Sequence, residues 1–292
     1  MIKRINNMKL SGLKLNFRNF LATLFVGLAI ASTPSVASAD DNPSAVLNQI
    51  REIGVLKVPV MTGEEPGYIK DRETGEWGGF YVEFLKEIAA TLGVEAELVE
   101  TTWGNLAADF QSGKLDIAIG VNPNPQRGMV VDYLWEPLFI DAWAVLTPEG
   151  KEVTNWEELN NPEKQVVVQK GSTMQVVAEN LLPNATVVPV EDRNLAIMEL
   201  QTGRADAVVF SVFDAAQIAQ QGIGKVSIPE PMLRNPATLA VARQPGNAGY
   251  INVLTNWIQQ QRSLGLAQSK LRDAWTARGI DLSKLLPEGF SF

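Results

Sequence analysis

Apolar residues follow two different rhythms along this chain after its first forty residues. In the first rhythm, Phe80, Phe84 and Ile88 recur every four residues until Gly93, a spacing that predicts an amphipathic helix. The second is a continuous apolar run such as Leu115–Val121, which predicts a strand covered on both faces. Strands and helices of these two kinds follow one another in turn, and this order predicts an α/β fold with mainly parallel sheets flanked by helices.

The order of elements occurs twice. The first unit runs from a predicted strand at Val55–Met61 to the strand at Leu115–Val121. The second runs from Gln165–Gln169 to Ala207–Phe210, again with helices between the strands. Two similar units joined by extended crossings predict two lobes with a cleft between them, which is a common place for a ligand.

The first 39 residues have the composition of a secretory signal peptide. Five basic residues precede a 12-residue apolar core at Phe20–Ala31, and no acidic residue occurs in the segment. Ala37-Ser38-Ala39 supplies small residues for cleavage after Ala39. The apolar core is too short for a membrane span. We therefore expect a periplasmic protein without direct membrane insertion. Since the chain contains no cysteine, we expect neither a lipid anchor nor disulfides.

Charge and composition exclude several kinds of chemistry. The leader holds five of the 25 basic residues, so the remaining 253 residues carry 20 basic against 33 acidic side chains, a net charge of −13. Such a surface repels nucleic acid. Without histidine or cysteine, thiol catalysis, Ser-His-Asp catalysis and the usual zinc sites are impossible. The composition favours binding over catalysis, and we expect no catalytic residue, no metal and no cofactor.

The most informative stretch follows the buried strand Leu115–Val121. The strand ends at Gly120 and at the turn that begins with Asn122, and Pro125 is expected at the first position of a following helix. Arg127 then lies in the first helical turn beyond the carboxyl end of a central strand. Open α/β sheets bind ligands at that end, and a guanidinium beside free helix-start N–H groups suits a carboxylate.

The second unit offers two similar helix starts. Ser172 and Thr173 follow the strand Gln165–Gln169 and open a helix, where they can cap it, meet an anion, or do both. Ser211 and Asp214 have the spacing of a capping box, with Asp in place of Glu.

The order and spacing of several short motifs resemble the bacterial extracellular solute-binding proteins of family 3, the amino-acid receptors of ABC importers. The likeness extends over nearly the whole chain after the leader. The motifs that carry it are Ile53-Gly54-Val55-Leu56-Lys57-Val58, Trp77-Gly78-Gly79-Phe80-Tyr81-Val82-Glu83-Phe84, Gln111-Ser112-Gly113-Lys114-Leu115-Asp116, Arg127 with Val131-Asp132-Tyr133, Gln169-Lys170-Gly171-Ser172-Thr173 and Gly203-Arg204-Ala205-Asp206-Ala207-Val208-Val209.

The resemblance implies a two-lobed periplasmic-binding-protein (Venus-flytrap) fold with a two-strand hinge. The first lobe would comprise residues 40–138 and 238–292, and the second lobe residues 139–237. The crossings would fall near Pro137–Asp141 and Asn235–Leu239. This likeness implies that the protein is a monomer, and that it binds a small carboxylate and delivers it to an ABC permease.

The resemblance also implies roles for particular residues. Arg127 matches the arginine that forks onto the ligand carboxylate, and Gly120 and Asn122 match positions that offer a carbonyl and a polar side chain. Ser172 and Thr173 match donors to the same carboxylate.

Aromatic residues would cover the apolar part of the ligand. Trp103 matches the stacking aromatic of the family, and Tyr68 lies near a second one. Burial in the core is the alternative for both side chains.

One position departs from the family pattern. Where the family usually has an aspartate for the ligand ammonium, this chain has Ser211, and Met61 replaces the acid that often assists it. Either another acid takes the role, with Glu64, Glu65 and Asp214 as candidates, or the ligand lacks a standard α-amino group. The sequence leaves both alternatives open.

Two other functions are compatible with the same fold. Some proteins similar to this family are periplasmic cyclohexadienyl dehydratases, for which Glu64, Glu65 or Asp214 would have to serve as proton donor. The other is a ligand sensor that docks on a membrane receptor. The predicted function remains an importer's binding protein and not an enzyme.

Overall fold

The structure, a computed structural model, describes residues 42–281, 284 and 286, so the predicted signal peptide lies outside the described residues. Within them the chain forms a two-lobed α/β fold in which helices cover mixed sheets. The strands are β1 (Val55–Val60), β2 (Ile69–Lys70), β3 (Trp77–Gly78), β4 (Glu95–Glu100), β5 (Ile117–Val121), β6 (Val131–Tyr133), β7 (Phe139–Thr147), β8 (Gln165–Gln169), β9 (Thr186–Val190), β10 (Ala207–Ser211), β11 (Lys225–Ser227) and β12 (Arg234–Ala242).

Eight α-helices are present in the described part of the chain, together with two short 3-10 turns at Arg127–Met129 and Trp156–Leu159. The helices are α1 (Ala45–Ile53), α2 (Phe80–Leu92), α3 (Leu106–Gln111), α4 (Thr173–Leu181), α5 (Arg193–Gln201), α6 (Val212–Gln220), α7 (Ala248–Ser263) and α8 (Leu266–Thr276).

Two long strands connect the lobes. β7 pairs with β10 and β11 of the second lobe, and β12 pairs with β5 and β6 of the first lobe. The two strands pair with each other where Arg234–Ala237 lies opposite Phe139–Ala142, so one sheet runs through both lobes in the order β5-β12-β7-β10-β8-β9. The sheet has no break that would mark a boundary between the lobes, so the lobe limits at residues 138 and 237 stay a prediction.

Parallel pairing is found between strands that a helix connects. β1 pairs in parallel with β4 across α2, β8 with β9 across α4, and β8 with β10. These are crossover units of the kind that the alternating pattern predicts. All the pairings of β7 and β12 are antiparallel, since those two strands run from one lobe to the other.

The predicted apolar patterns form the core. The residues of β5 that pack inward, Ile117, Ala118, Ile119 and Val121, are fully buried, as the continuous apolar run predicts. On α2 the apolar face is buried against the sheet. This packing holds the carboxyl end of β5 at the cleft, where the polar residues that follow it face the second lobe.

Candidate functional site

A cavity lies between the two lobes at the carboxyl ends of β5, β8 and β10. Residues of both lobes form its walls. Nine of the ten residues predicted for the site line it. They are Glu64, Trp103, Gly120, Asn122, Arg127, Ser172, Thr173, Ser211 and Asp214.

Arg127 is held at the cavity by a 3-10 turn. The prediction of an α-helix starting at Pro125 is wrong, because the chain makes only the turn Arg127–Met129 before it enters β6 at Val131. The Asn124 side-chain oxygen accepts hydrogen bonds from the backbone N–H groups of Gln126 (2.8 Å) and Arg127 (3.2 Å), so Asn124 caps this turn. The cap fixes the direction in which the arginine leaves the backbone.

The guanidinium of Arg127 is buried without a carboxylate partner in the described part of the chain. Its Nη2 donates to the carbonyl oxygen of Trp103 at 3.3 Å and to that of Gly171, and its carbon lies 5.8 Å from the centre of the Trp103 ring. Burial lowers the pKa of Arg127, and nearby Tyr133 opposes this shift. These two carbonyl groups accept from Nη2 but do not neutralise the charge, so the site favours an anion.

The two lobes touch beside Arg127. A Cβ atom on Gly171 would lie 2.7 Å from the Cα atom of Gly104, and Gly171 has a φ of +70°. Both the space and the backbone conformation therefore require glycine at this position. The structure is the closed form of the cleft, with the Gly171 backbone of the second lobe against the first.

Ser172 and Thr173 begin α4 on the opposite wall. The Ser172 hydroxyl donates to the carbonyl of Gln169 (2.6 Å) and accepts from the N–H of Gln175 (3.3 Å), so it is a helix cap. The Thr173 hydroxyl is buried and has no hydrogen-bond partner. A buried hydroxyl at a helix start that lines a cavity is suited to an anionic group of a ligand.

Gly120 and Asn122 form the end of β5. Gly120 has a φ of +69°, and a Cβ atom there would lie 2.2 Å from the Tyr81 hydroxyl oxygen, so the tyrosine requires a glycine opposite it. The Asn122 side chain donates to the carbonyl of Pro236 at 3.1 Å. Asn122 thus ties the end of β5 to the crossing strand β12 as well as lining the cavity.

Tyr68 is the one predicted residue that does not line the cavity. Its side chain is 1% exposed and lies behind Tyr81, with ring centres 5.3 Å apart. Tyr81 lines the cavity instead, because Gly120 leaves room for its ring. The covering aromatic on this side is therefore Tyr81 of α2.

A buried cluster of charges crosses the cleft. Arg193 Nη2 lies 2.6 Å from Glu64 Oε2, which belongs to the first lobe, and 2.9 Å from Asp214 Oδ2, which belongs to the second. Gln169 Nε2 donates to Glu64 Oε1 at 3.0 Å. Glu64 and Arg193 therefore form a buried ion pair between the two lobes.

The electrostatics of this cluster follow from burial. Burial raises the pKa of Asp214 to about 7, against the opposing charge of Arg193. Burial alone would lower the pKa of Arg193, but Asp214 and Glu64 raise it on balance. Asp214 does not complete the predicted capping box, because its carboxylate pairs with Arg193. Ser211 caps α6, since its hydroxyl accepts from the Phe213 N–H at 3.2 Å.

Asp141 is a buried acid of the cavity that sequence reasoning missed. It lies on β7, and its Oδ1 accepts from the Ser211 hydroxyl at 3.0 Å and from the Ala142 N–H at 2.7 Å. Burial raises the pKa of Asp141 to about 8, and the nearby charge of Asp214 adds to the shift. None of the ion pairs among the described residues includes Asp141.

Sequence reasoning missed three polar side chains of the cavity, those of Asp141, Tyr81 and Arg193, and the first two had a signal in the sequence. Asp141 is the only charged residue in the apolar run Phe139–Leu146, which is unusual for a buried strand. Tyr81 is next to Phe80 at the start of a predicted helix. Arg193 gave none, because it stands in the polar run Glu191–Asn194 like any exposed helix start.

Residues 42–281, 284 and 286 contain neither a metal-binding cluster nor a membrane-spanning helix. No group of three or more acidic side chains there has an arrangement that could hold a metal ion. None of the helices in those residues has the length and apolar character needed to cross a bilayer.

Comparison with known proteins gives consistent matches. Residues 56–246 match the family model of the bacterial extracellular solute-binding proteins, family 3. The chain is 25% identical to the L-cystine-binding protein TcyJ of Escherichia coli, over 89% of this chain and 95% of that protein. It is 27% identical to a cyclohexadienyl dehydratase of Pseudomonas aeruginosa, over 68% of this chain and 73% of the enzyme.

Solved structures share the same fold. The ancestral amino-acid-binding protein AncCDT-1, a precursor of cyclohexadienyl dehydratase, superposes with a TM-score of 0.71 at 29% identity, covering 79% of this chain and all but 1% of that one. The substrate-binding protein AbpA of Streptococcus pneumoniae, solved with L-arginine, gives a TM-score of 0.72 at 24% identity, over 80% of this chain and 100% of that one. The second likeness supports the fold alone.

Proposed function

Since this chain belongs to the bacterial extracellular solute-binding proteins of family 3, we propose that it captures an amino acid or a related small carboxylate. The relatives' names support this proposal, because they include binding proteins for cystine, histidine and glutamine. The delivery of the ligand to the permease of an ABC importer is part of the same proposal.

The observation that carries the proposal is the buried, uncompensated guanidinium of Arg127. A ligand carboxylate at this position would pair with the positive charge of Arg127, which only neutral carbonyl groups now meet. The Thr173 hydroxyl and the first N–H groups of α4 would donate to the same carboxylate from the other lobe. Because donors come from both lobes, the ligand binds the closed form more tightly and shifts the protein toward it.

The remaining parts of the proposal concern the cellular setting. We place the protein in the periplasm after cleavage behind Ala39, as a monomer whose two lobes are residues 40–138 with 238–292 and residues 139–237. The permease would recognise the closed form. Trp103 and Tyr81 would cover the apolar part of the ligand, and no step of catalysis is required.

Thermal-shift measurements and calorimetry test the proposal. The twenty standard L-amino acids and L-cystine are screened one by one, and native mass spectrometry of the freshly purified protein identifies any co-purified molecule. Any amino acid that stabilises the wild type is then titrated into Arg127→Ala. We expect at least about tenfold weaker binding, because a charge-assisted hydrogen bond contributes about 1.5–3 kcal/mol.

Arg204→Ala is the matched control for this experiment. Arg204 is an exposed arginine of the second lobe that pairs with Glu199 at 2.7 Å and does not line the cavity. Its affinity should equal that of the wild type. Retained affinity in Arg127→Ala, or a wild type that no compound of the screen stabilises, would contradict the proposed function.

A lyase is the second candidate function, and one observation favours it. Burial keeps Asp141 protonated near neutral pH inside the cavity, and a proton donor is what a dehydratase requires. The likeness to a cyclohexadienyl dehydratase supports testing it. We expect no change in absorbance when the protein is incubated with prephenate or arogenate, and turnover above the Asp141→Asn background would establish the lyase.

A further inference from the structure

The cavity contains one buried acid that pairs with no cation among the described residues. We infer that Asp141 accepts the α-ammonium group of the ligand, so that the ligand is an α-amino acid although Ser211 stands at the position of the usual acid. The inference rests on the proposed function, because it concerns the second charged group of the same ligand. It also resolves the question of the amino group that the sequence leaves open.

The position of Asp141 suits this role. The residue lies on the crossing strand β7, in the wall of the cavity, and its side chain is 6% exposed. The Ser211 hydroxyl (3.0 Å) and the Ala142 N–H (2.7 Å) donate to Oδ1 and hold the carboxyl group in one orientation. Ser211 therefore positions the acid instead of binding the ammonium group directly.

The other acids of the cavity already have a charge partner. Glu64 and Asp214 both pair with Arg193, at 2.6 and 2.9 Å, and Glu64 also accepts from Gln169. Each of these two acids therefore meets a guanidinium directly, whereas Asp141 makes no ion pair among the described residues. Asp141 is the acid that remains available in the lining.

Two unbalanced groups of opposite sign line the same cavity. Arg127 is a buried cation without a carboxylate partner, and Asp141 is a buried acid without a cation partner among the described residues. An α-amino acid carries one carboxylate and one ammonium group close together. The cavity thus offers one group for each charge of a zwitterion.

Binding of an ammonium group to Asp141 should release a proton. The charged or titratable side chains near Asp141 are Asp214 on α6, Tyr81 on α2 and, through Asp214, the Arg193–Glu64 pair. Burial and Asp214 hold Asp141 protonated in the empty site, since its pKa is about 8. The incoming ammonium favours the carboxylate, so the proton leaves to solvent and affinity falls as the pH is lowered below 8.

The first experiment compares ligands on the wild-type protein. Each amino acid that stabilises the wild type is titrated beside its deaminated acid, which keeps the carboxylate and the side chain; for phenylalanine this is 3-phenylpropanoate. We expect the deaminated acid to bind at least about tenfold more weakly. Equal affinity for the two compounds would overturn the inference and leave the proposed function intact.

The second experiment uses Asp141→Asn with Asp116→Asn as the matched control. Asp116 is also an acid whose pKa burial raises, but it accepts from the Lys57 N–H outside the cavity. Calorimetry at pH 7 in phosphate and in Tris, which differ in ionisation enthalpy, measures the protons released. We expect release from the wild type and the control, and neither release nor tight binding in Asp141→Asn.

Each outcome has a definite meaning. Affinity of Asp141→Asn within a few-fold of the wild type, or equal proton release in both proteins, would overturn the role of Asp141. If circular dichroism shows that Asp141→Asn does not fold, the comparison of ligands on the wild type decides alone. Failure of every amino acid to stabilise the wild type would instead overturn the proposed function.

Discussion

Replacing Asp141 with asparagine should stabilise the ligand-free protein, and the gain should depend on pH. Asparagine has nearly the shape of a protonated aspartate, and its side-chain oxygen can still accept from Ser211 and Ala142. The substitution therefore removes the ability to ionise and leaves the packing of β7 in place.

The magnitude follows from the difference in pKa between the folded and unfolded chain. Burial raises the pKa of Asp141 from 3.8 to about 8, so the unfolded chain loses the proton first as the pH rises. Below pH 4 the carboxyl group is neutral in both states and costs nothing. Between pH 4 and 8 the folded state loses about 1.4 kcal/mol per pH unit, which amounts to about 4 kcal/mol at pH 7.

Urea unfolding of the two proteins at several pH values measures this difference. At pH 4 the wild type and Asp141→Asn should have nearly the same free energy of unfolding. At pH 7 the variant should be more stable by about 4 kcal/mol, and above pH 8 the difference should stop growing. The ionisation of Asp214 occurs in both proteins, so most of its contribution cancels in the comparison.

A difference that does not change with pH would refute this reasoning. It would mean that water reaches Asp141 in the ligand-free protein and that its pKa is near the ordinary value. A variant less stable than the wild type at pH 7 would mean that the carboxylate accepts bonds that asparagine cannot replace. In either case Asp141 would not be the neutral, buried acid that the inference requires.

Two further predictions concern the closure of the lobes. Gly171→Ala should weaken amino-acid binding by about tenfold or more, because its Cβ would meet Gly104 across the cleft and hold the lobes apart. The control is Gly203→Ala, which has a similar φ of +71° but open space around it, and which should lose some stability and keep its affinity. Calorimetry measures both affinities, and equal values would refute the close contact between the lobes. Arg193→Met should lower the free energy of unfolding by about 3–5 kcal/mol, because it leaves the buried carboxylates of Glu64, in the first lobe, and Asp214, in the second, without their shared cation. Chemical denaturation measures this, and an unchanged midpoint would show that the two acids do not depend on Arg193.

Most of the fold could be predicted because its elements have strong local signals. The sequence predicts strand β8 with the bounds that the structure shows, and it predicts that helix α2 ends at Gly93, which is its C-cap. The crossing strand β7 was predicted only as an extended connection. Its apolar residues would fit a buried helix equally well by pattern alone, and its place is decided by pairing with strands distant in the sequence.

The site could be predicted where a residue's role depends on its own element. Arg127, Thr173 and Gly120 lie at the ends of strands or the starts of helical segments, and the direction of those elements takes them to the cleft. Tyr68 and Tyr81 could not be distinguished, since both are aromatic and near the loop after β1. Only the contact of Tyr81 with Gly120, 39 positions further along the chain, determines which ring reaches the cavity.

Arg127 and Asp141 together suggest how this cleft would select a zwitterion. A simple carboxylic acid would neutralise Arg127 and leave Asp141 facing an apolar part of the ligand, where it would have to keep its proton. A simple amine would pair with Asp141 and leave the guanidinium of Arg127 buried without an anion, which is costly. An α-amino acid pairs with both groups. Discrimination against an amine would come from the charge left unpaired on Arg127, and discrimination against a carboxylic acid from the ammonium contact with Asp141 that it cannot make.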